Sequence, residues 1–167
     1  MPPANHVAFT AAINPAGKTP VLTRDQIWKG LERKIRAGQD FVGAAITDTE
    51  VLKEYKQDST GLPVTVRMVH FANTTMGNVE ETCIAFRPMK VEFHQGNGSK
   101  VQNVISEGAG GAEDLYMTYT FEWLHPELEG KEDEMNAALQ REKAMAKTAV
   151  ENTIRVMREM VEDGRIQ

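Results

Sequence analysis

The chain has 167 residues, of which 41% are hydrophobic, and carries 19 basic against 24 acidic side chains for a net charge of −5. That length suits one domain, read as a single unit over residues 1–167, whose core can form without disulfides or metals. The acidic balance argues against nucleic acid and against acidic membrane surfaces as partners.

The first ten residues have neither a basic start nor a long apolar stretch, and no run approaches the roughly 20 apolar residues of a membrane helix. The lone Cys83 lies between Thr82 and Ile84 in a strand-like segment, where a free thiol behaves as a small buried hydrophobe. A reducing compartment fits, so a cytoplasmic protein is expected.

Residues 6–13 alternate small side chains with Val7, Phe9 and Ile13, which predicts a first strand ended by Asn14-Pro15. Thr23 followed by Gln26 has the form of a capping box. Ile27, Trp28, Leu31 and Ile35 then recur at helical spacing up to about residue 37, where Gly38 stops the helix. A second short helix is expected over 40–45.

Six strands follow, at 47–56, 63–71, 80–87, 89–95, 100–107 and 114–124, separated by turn residues at 58–61 and 74–78, by Pro88 and by Gly96-Asn97-Gly98. From 131 to 163 there is neither Pro nor Gly, and Met135, Leu139, Met145, Ala146, Ala149, Val150, Thr153, Val156, Met157 and Met160 share a face. This is one helix of about 30 residues, roughly 45 Å long. Such a length predicts that it crosses the whole concave face of the sheet. The expected class is α+β: a seven-stranded curved antiparallel sheet wrapped around a long C-terminal helix, with one or two short helices after strand 1.

The order of elements, together with Ile13-Asn14, the run Leu22-Thr23-Arg24-Asp25-Gln26-Ile27-Trp28-Lys29-Gly30-Leu31, Phe86-Arg87-Pro88, Val91-Glu92-Phe93 and Tyr119-Thr120-Phe121-Glu122-Trp123-Leu124-His125-Pro126, resembles the START and birch-pollen-allergen (SRPBCC, helix-grip) superfamily. Within it the chain is similar to the AtaL-like branch. The resemblance covers nearly the whole chain. It implies a cavity gripped between sheet and helix, and fungal members of the branch are associated with specialised-metabolite gene clusters.

The residues themselves offer no familiar catalytic motif. His6, His70, His94 and His125 are scattered singly, without metal-ligand spacing, so no metal or other cofactor is expected. No nucleophile elbow surrounds Ser59, Ser99 or Ser106. The run Gly108-Ala109-Gly110-Gly111 lacks the lysine and following helix of a phosphate loop and reads as a hairpin or pocket rim. Glu80 and Glu81 are adjacent on a strand and so point to opposite faces.

Alternation assigns faces. If the more apolar face of each strand turns inward, Met68 and His70 lie inside, as do Thr82, Ile84 and Phe86, then Val101, Asn103 and Ile105, then Leu115, Met117, Tyr119, Phe121 and Trp123. A shift of one residue would bring Arg67 or Val69 inward in place of His70. Trp28, Met145, Ala149 and Thr153 complete the expected lining from the helices. An apolar pocket with a few polar groups suits a small hydrophobic or aromatic molecule. His70 and Tyr119 are the candidate catalytic pair, one as acid or base and the other as donor to a carbonyl or enolate oxygen. A binder of an apolar metabolite and a cofactor-independent cyclase, isomerase or lyase are both consistent with this pattern, and an interaction module on the acidic helix is a third reading.

Overall fold

The structure, a computed structural model, describes residues 1–73 and 75–167. Strand β1 (Ala4–Ala12) leads to helix α1 (Arg24–Arg36), helix α2 (Gln39–Val42) and a 3-10 turn at Gly43–Ala45. Strands β2 (Ile46–Lys56), β3 (Pro63–Phe71), β4 (Asn78–Phe86), β5 (Lys90–Gln95), β6 (Lys100–Glu107) and β7 (Leu115–Leu124) follow, and α3 (Glu132–Glu162) closes the chain. Each predicted element is present with ends that move by one or two residues, except that the helix expected over 40–45 is α-helical only to Val42 and continues as the 3-10 turn. The expected turn at 74–78 begins on Thr74, which lies outside the described residues.

The seven strands form one antiparallel sheet in the order β1-β7-β6-β5-β4-β3-β2. Consecutive strands from β2 to β7 are neighbours, as a meander requires, and β1 joins at β7. With all helices on one curved face, this is the α+β helix-grip architecture.

Local chemistry explains the helices. In α1 the Thr23 hydroxyl accepts from Gln26 N at 3.2 Å while Thr23 N donates to the Gln26 side chain at 3.0 Å, so the capping box closes. Ile27, Trp28, Leu31, Lys34 and Ile35 form the buried stripe of α1. Glu132, Asp133 and Glu134 occupy the first turn of α3, where negative charge is favoured by the helix dipole. The glycines at 108 and 110 have a steric cause: a Cβ on Gly108 would stand 2.1 Å from the Asp114 carboxylate, which accepts from Gly110 N at 2.9 Å.

One expectation about layers is corrected. The long helix does not cover the whole sheet. It packs chiefly on β1, β7 and α2, whereas α1 lies against β2, β3 and β6. A sheet this wide and curved needs both helices to cover its concave face, and the interface between α1 and the sheet becomes a separate place for chemistry.

Where α3 meets the end of β7, His125 is clasped between two carboxylates: its ring nitrogens lie 2.6 Å from Glu142 Oε1 and 3.0 Å from Glu127 Oε1, and Asn5 Nδ2 donates to Glu142 Oε2 at 2.6 Å. Burial alone would lower the imidazole pKa, but the two acceptors outweigh it and hold it above its usual value. A raised pKa means the folded state keeps the proton longer, so this clasp stabilises fully below the ordinary imidazole range and is lost as pH rises through the folded pKa. His125→Gln is therefore expected to cost about 1–2 kcal/mol at pH 6 and less at pH 9, measured by urea unfolding at the two pH values.

Candidate functional site

The concave face is filled rather than hollow beneath α3. Ile105, Met117, Tyr119, Met157 and Met160 are each no more than 2% exposed and pack closely on one another there. Gly30 permits this closeness between helices, since a Cβ there would lie 2.8 Å from the Met157 side chain. Shallow clefts run along the outer edge where α3 meets β1, and a narrower groove lies between α1 and strands β3 and β4. A groove of about 220 Å³ is lined there by Trp28, Ile35, Pro63, Thr65, Cys83 and Ala85, with Glu32, Arg36 and Arg87 also contributing to its walls. Trp28 Nε1 donates to Glu32 Oε1 at 2.8 Å, so the indole is held with its polar atom satisfied.

Farther along the inner face, and not lining the groove, lies a buried polar cluster. Lys34 Nζ donates to Asn103 Oδ1 at 2.9 Å and to Tyr119 OH at 2.8 Å, and Tyr119 in turn donates to Thr153 Oγ1 at 2.7 Å. The ammonium position is 4.3 Å from the centre of the Tyr119 ring and 5.7 Å from that of Phe93. No carboxylate stands within 4 Å of Lys34 among the described residues. Burial, followed by repulsion from Arg67, pulls its pKa down from the ordinary lysine value to about 7, although Glu81 and Cys83 partly offset this. Burial pushes the Tyr119 phenol well above its usual value, against the smaller effect of its bond to Thr153, so it is a neutral hydrogen-bonding group.

Beside the lysine, Arg67 forms a buried pair with Glu81, its Nε at 2.9 Å and Nη2 at 2.6 Å from Glu81 Oε2. Gln95 Nε2 donates to the other carboxylate oxygen at 3.1 Å. Arg67 Nη1 also donates to the carbonyls of Lys34 at 2.8 Å and Ile35 at 3.0 Å. Those carbonyls belong to the last turn of α1, whose acceptors lack partners within the helix. One arginine thus caps α1 and sets the position of Lys34. The Cys83 thiol, in the groove wall, is pushed up to about 12, mainly by burial, and is inert as a nucleophile near neutral pH.

The expected faces hold for β6 and β7 and fail for β3 and β4. Asn103, Ile105, Met117, Tyr119 and Phe121 point inward and are buried, Trp123 is half-buried with its ring 4.4 Å from that of Phe121, and Thr153 and Ala149 face the core from α3. Met68, His70, Thr82, Ile84 and Phe86 lie on the outer face instead, half-buried. His70 Nδ1 stands 2.9 Å from Asn78 Oδ1 there, and Lys90 Nζ lies 4.7 Å above the Phe86 ring. Met145 is 51% exposed, on the solvent side of α3.

The physical reason is that these two strands carry apolar residues on both faces, while their inner face holds the Arg67–Glu81 pair; choosing the more apolar face therefore selects the wrong one. The sequence expectations do not include Lys34, although its place in the α1 stripe, three residues after Leu31, marks it as a polar side chain at a core position.

Comparison with known families bears on this geometry. Residues 7–164 match the model of the family described as AtaL, acetylaranotin biosynthesis cluster protein L. The chain belongs to that family. No curated protein sequence matches it.

Among solved structures, it is similar to the di-domain aromatase/cyclase StfQ from the steffimycin biosynthetic pathway, with a TM-score of 0.65 and 6% identity over 97% of this chain and 52% of StfQ. It is likewise similar to the di-domain aromatase/cyclase BexL from the BE-7585A biosynthetic pathway, with a TM-score of 0.56 and 10% identity over 93% of this chain and 49% of BexL. The chain spans about half the length of these two proteins. A norcoclaurine synthase point mutant from Thalictrum flavum, in complex with a transition-state analogue, aligns with a TM-score of 0.54 and 13% identity over 93% of this chain and 97% of the synthase. At such identities the likeness shows the fold alone. No helix among the described residues is long and apolar enough to cross a membrane.

Proposed function

We propose that the protein binds a small, mostly apolar or aromatic metabolite of secondary metabolism on the inner face of its sheet, entering through the groove beside Trp28. The observation that carries this reading is a groove walled in part by Ile35, the residue after Lys34 on α1, with the buried Lys34, Asn103 and Tyr119 cluster farther along the inner face. An apolar cleft leading to a few convergent polar groups is the usual anatomy of a small-molecule site. Membership of a family named for a biosynthesis cluster, and a fold shared with cyclases and a synthase, support the metabolic setting.

The methionines fit this role. Met117, Met157 and Met160 fill the space beneath α3 with flexible thioethers, which can repack around a ligand at small cost. A second reading, a cofactor-independent cyclase, isomerase or lyase, is favoured by one observation: the Lys34 amine, poised near neutrality beside the Tyr119 hydroxyl, can move a proton within a site that excludes water. His70, on the outer face, has no part in either reading, so His70→Ala is expected to leave binding and turnover unchanged.

The test is native mass spectrometry of the protein purified from its own host. A co-purifying small molecule of mainly apolar character is expected, and Ala85→Trp, which fills the groove, should abolish its retention while the far-ultraviolet circular dichroism stays unchanged. Retention unaffected by Ala85→Trp would place the ligand elsewhere and refute this site.

A further inference from the structure

Two features of the buried cluster remain unexplained by binding of an apolar body alone. A lysine only 8% exposed, with no carboxylate within 4 Å among the described residues, is an expensive group to keep when a methionine of similar volume would pack there. Its neighbour Asn103 is 0% exposed, and its Nδ2 has no hydrogen-bond partner among the described residues. A buried amide donor left unpaired costs about 1–3 kcal/mol, so the site is short of one acceptor. An amine and a spare amide donor side by side match a single chemical group, a carbonyl: the amine addresses its carbon and the amide its oxygen.

The register connects this pair to the groove. Ala85 in the groove wall lies opposite Val91, Val91 opposite Asn103, and Asn103 opposite Tyr119. Asn103 is therefore two strand spacings from the groove wall, about 10 Å. Lys34 itself directly precedes Ile35, another wall residue, on α1.

We infer that Lys34 is a nucleophile that captures the carbonyl carbon of an aldehyde or 1,3-dicarbonyl ligand as a covalent imine, with Asn103 Nδ2 holding the carbonyl oxygen. This rests on the binding reading above and names the ligand's reactive group. The step balances without any oxidant or reductant. The amine lone pair forms the N–C bond while the carbonyl π pair moves onto oxygen, which takes one proton from the nitrogen. The C–O bond of that carbinolamine then breaks, the oxygen leaves as water with the second nitrogen proton, and a C=N bond forms.

With a 1,3-dicarbonyl, a proton shifts from the central carbon to nitrogen and gives a conjugated enaminone. The reaction needs a neutral amine, and with a pKa of about 7 roughly half of Lys34 is neutral at pH 7, where a surface lysine is neutral in fewer than one molecule in a thousand.

Benzoylacetone, an aromatic 1,3-diketone, is the probe. Incubated with the wild-type protein at pH 8, it is expected to produce a new near-ultraviolet absorption band and one adduct per chain, heavier by the mass of the probe less one water. Peptide mapping should place that adduct on Lys34, and Lys34→Met should abolish it. The mapping on wild-type protein decides the matter even if Lys34→Met folds poorly.

Calorimetry of benzoylacetone binding separates the two claims. Binding without an adduct overturns the nucleophile and leaves the binding site intact. Neither binding nor adduct at millimolar probe overturns both, and an adduct found only on surface lysines also refutes the inference.

Discussion

Replacing Glu81 by alanine should destabilise the protein by about 3–5 kcal/mol, the largest effect expected from any single substitution at the site. Both members of the Arg67–Glu81 pair are almost wholly buried, with side chains 5% and 7% exposed. Removal of the carboxylate leaves a guanidinium in the interior with two backbone carbonyls and the face of Phe93, 4.9 Å away, as its remaining company. Those groups hydrogen-bond or polarise but do not neutralise. Arg67→Met should be similarly costly, since it strands the carboxylate and uncaps α1.

The double substitution Arg67→Met with Glu81→Leu should recover part of the loss, because a buried pair replaced by apolar groups of similar volume is often close to neutral. Urea denaturation of the three variants measures this directly. Equal losses in the double and the single variants would show that the pair matters through packing alone. The Lys34 position gives a second readout, as a displaced α1 would also slow any adduct formation there.

The second large effect is a pH dependence of stability that belongs to Lys34. Its pKa is lowered in the folded state from 10.5 to about 7, so between these values the unfolded chain binds a proton that the folded chain does not. Stability must then rise with pH across that window, by up to about 1.4 kcal/mol per unit, and the contribution is flat below pH 7 and above the unfolded value. The full difference amounts to roughly 4–5 kcal/mol.

The His125 clasp works in the opposite sense as pH rises through its own pKa, so the wild-type curve alone mixes the two. Comparison with Lys34→Met separates them. Unfolding free energies at pH 7, 8 and 9 should climb more steeply in the wild type than in the variant, and parallel curves would mean that Lys34 stays charged in the fold.

The site was half visible in the chain itself. Tyr119, Asn103 and Thr153 face inward as expected because β6 and β7 alternate cleanly between a core face and a polar face, and α3 has a single apolar stripe. His70, Thr82, Ile84, Phe86 and Met68 face outward, against expectation, because β3 and β4 are apolar on both sides. Where a strand offers two apolar faces, the period of two says which residues travel together but not which set faces the helices. Met145 is exposed for a related reason: α3 packs chiefly on β1 and β7, so its buried stripe is narrower than a helix crossing the whole sheet would need.

What the sequence determined alone was the order, type and approximate bounds of the elements, and hence the helix-grip topology, because capping, turn residues and hydrophobic period are local properties read over a few positions. The tertiary structure decided which faces of β3 and β4 meet the helices and where the space lies. It also brought Lys34 from α1, Asn103 from β6, Tyr119 from β7 and Thr153 from α3 to one point, 119 residues apart at the extremes in the chain. Pairing of charge inside a core depends on contacts between distant segments, and no local period carries that information.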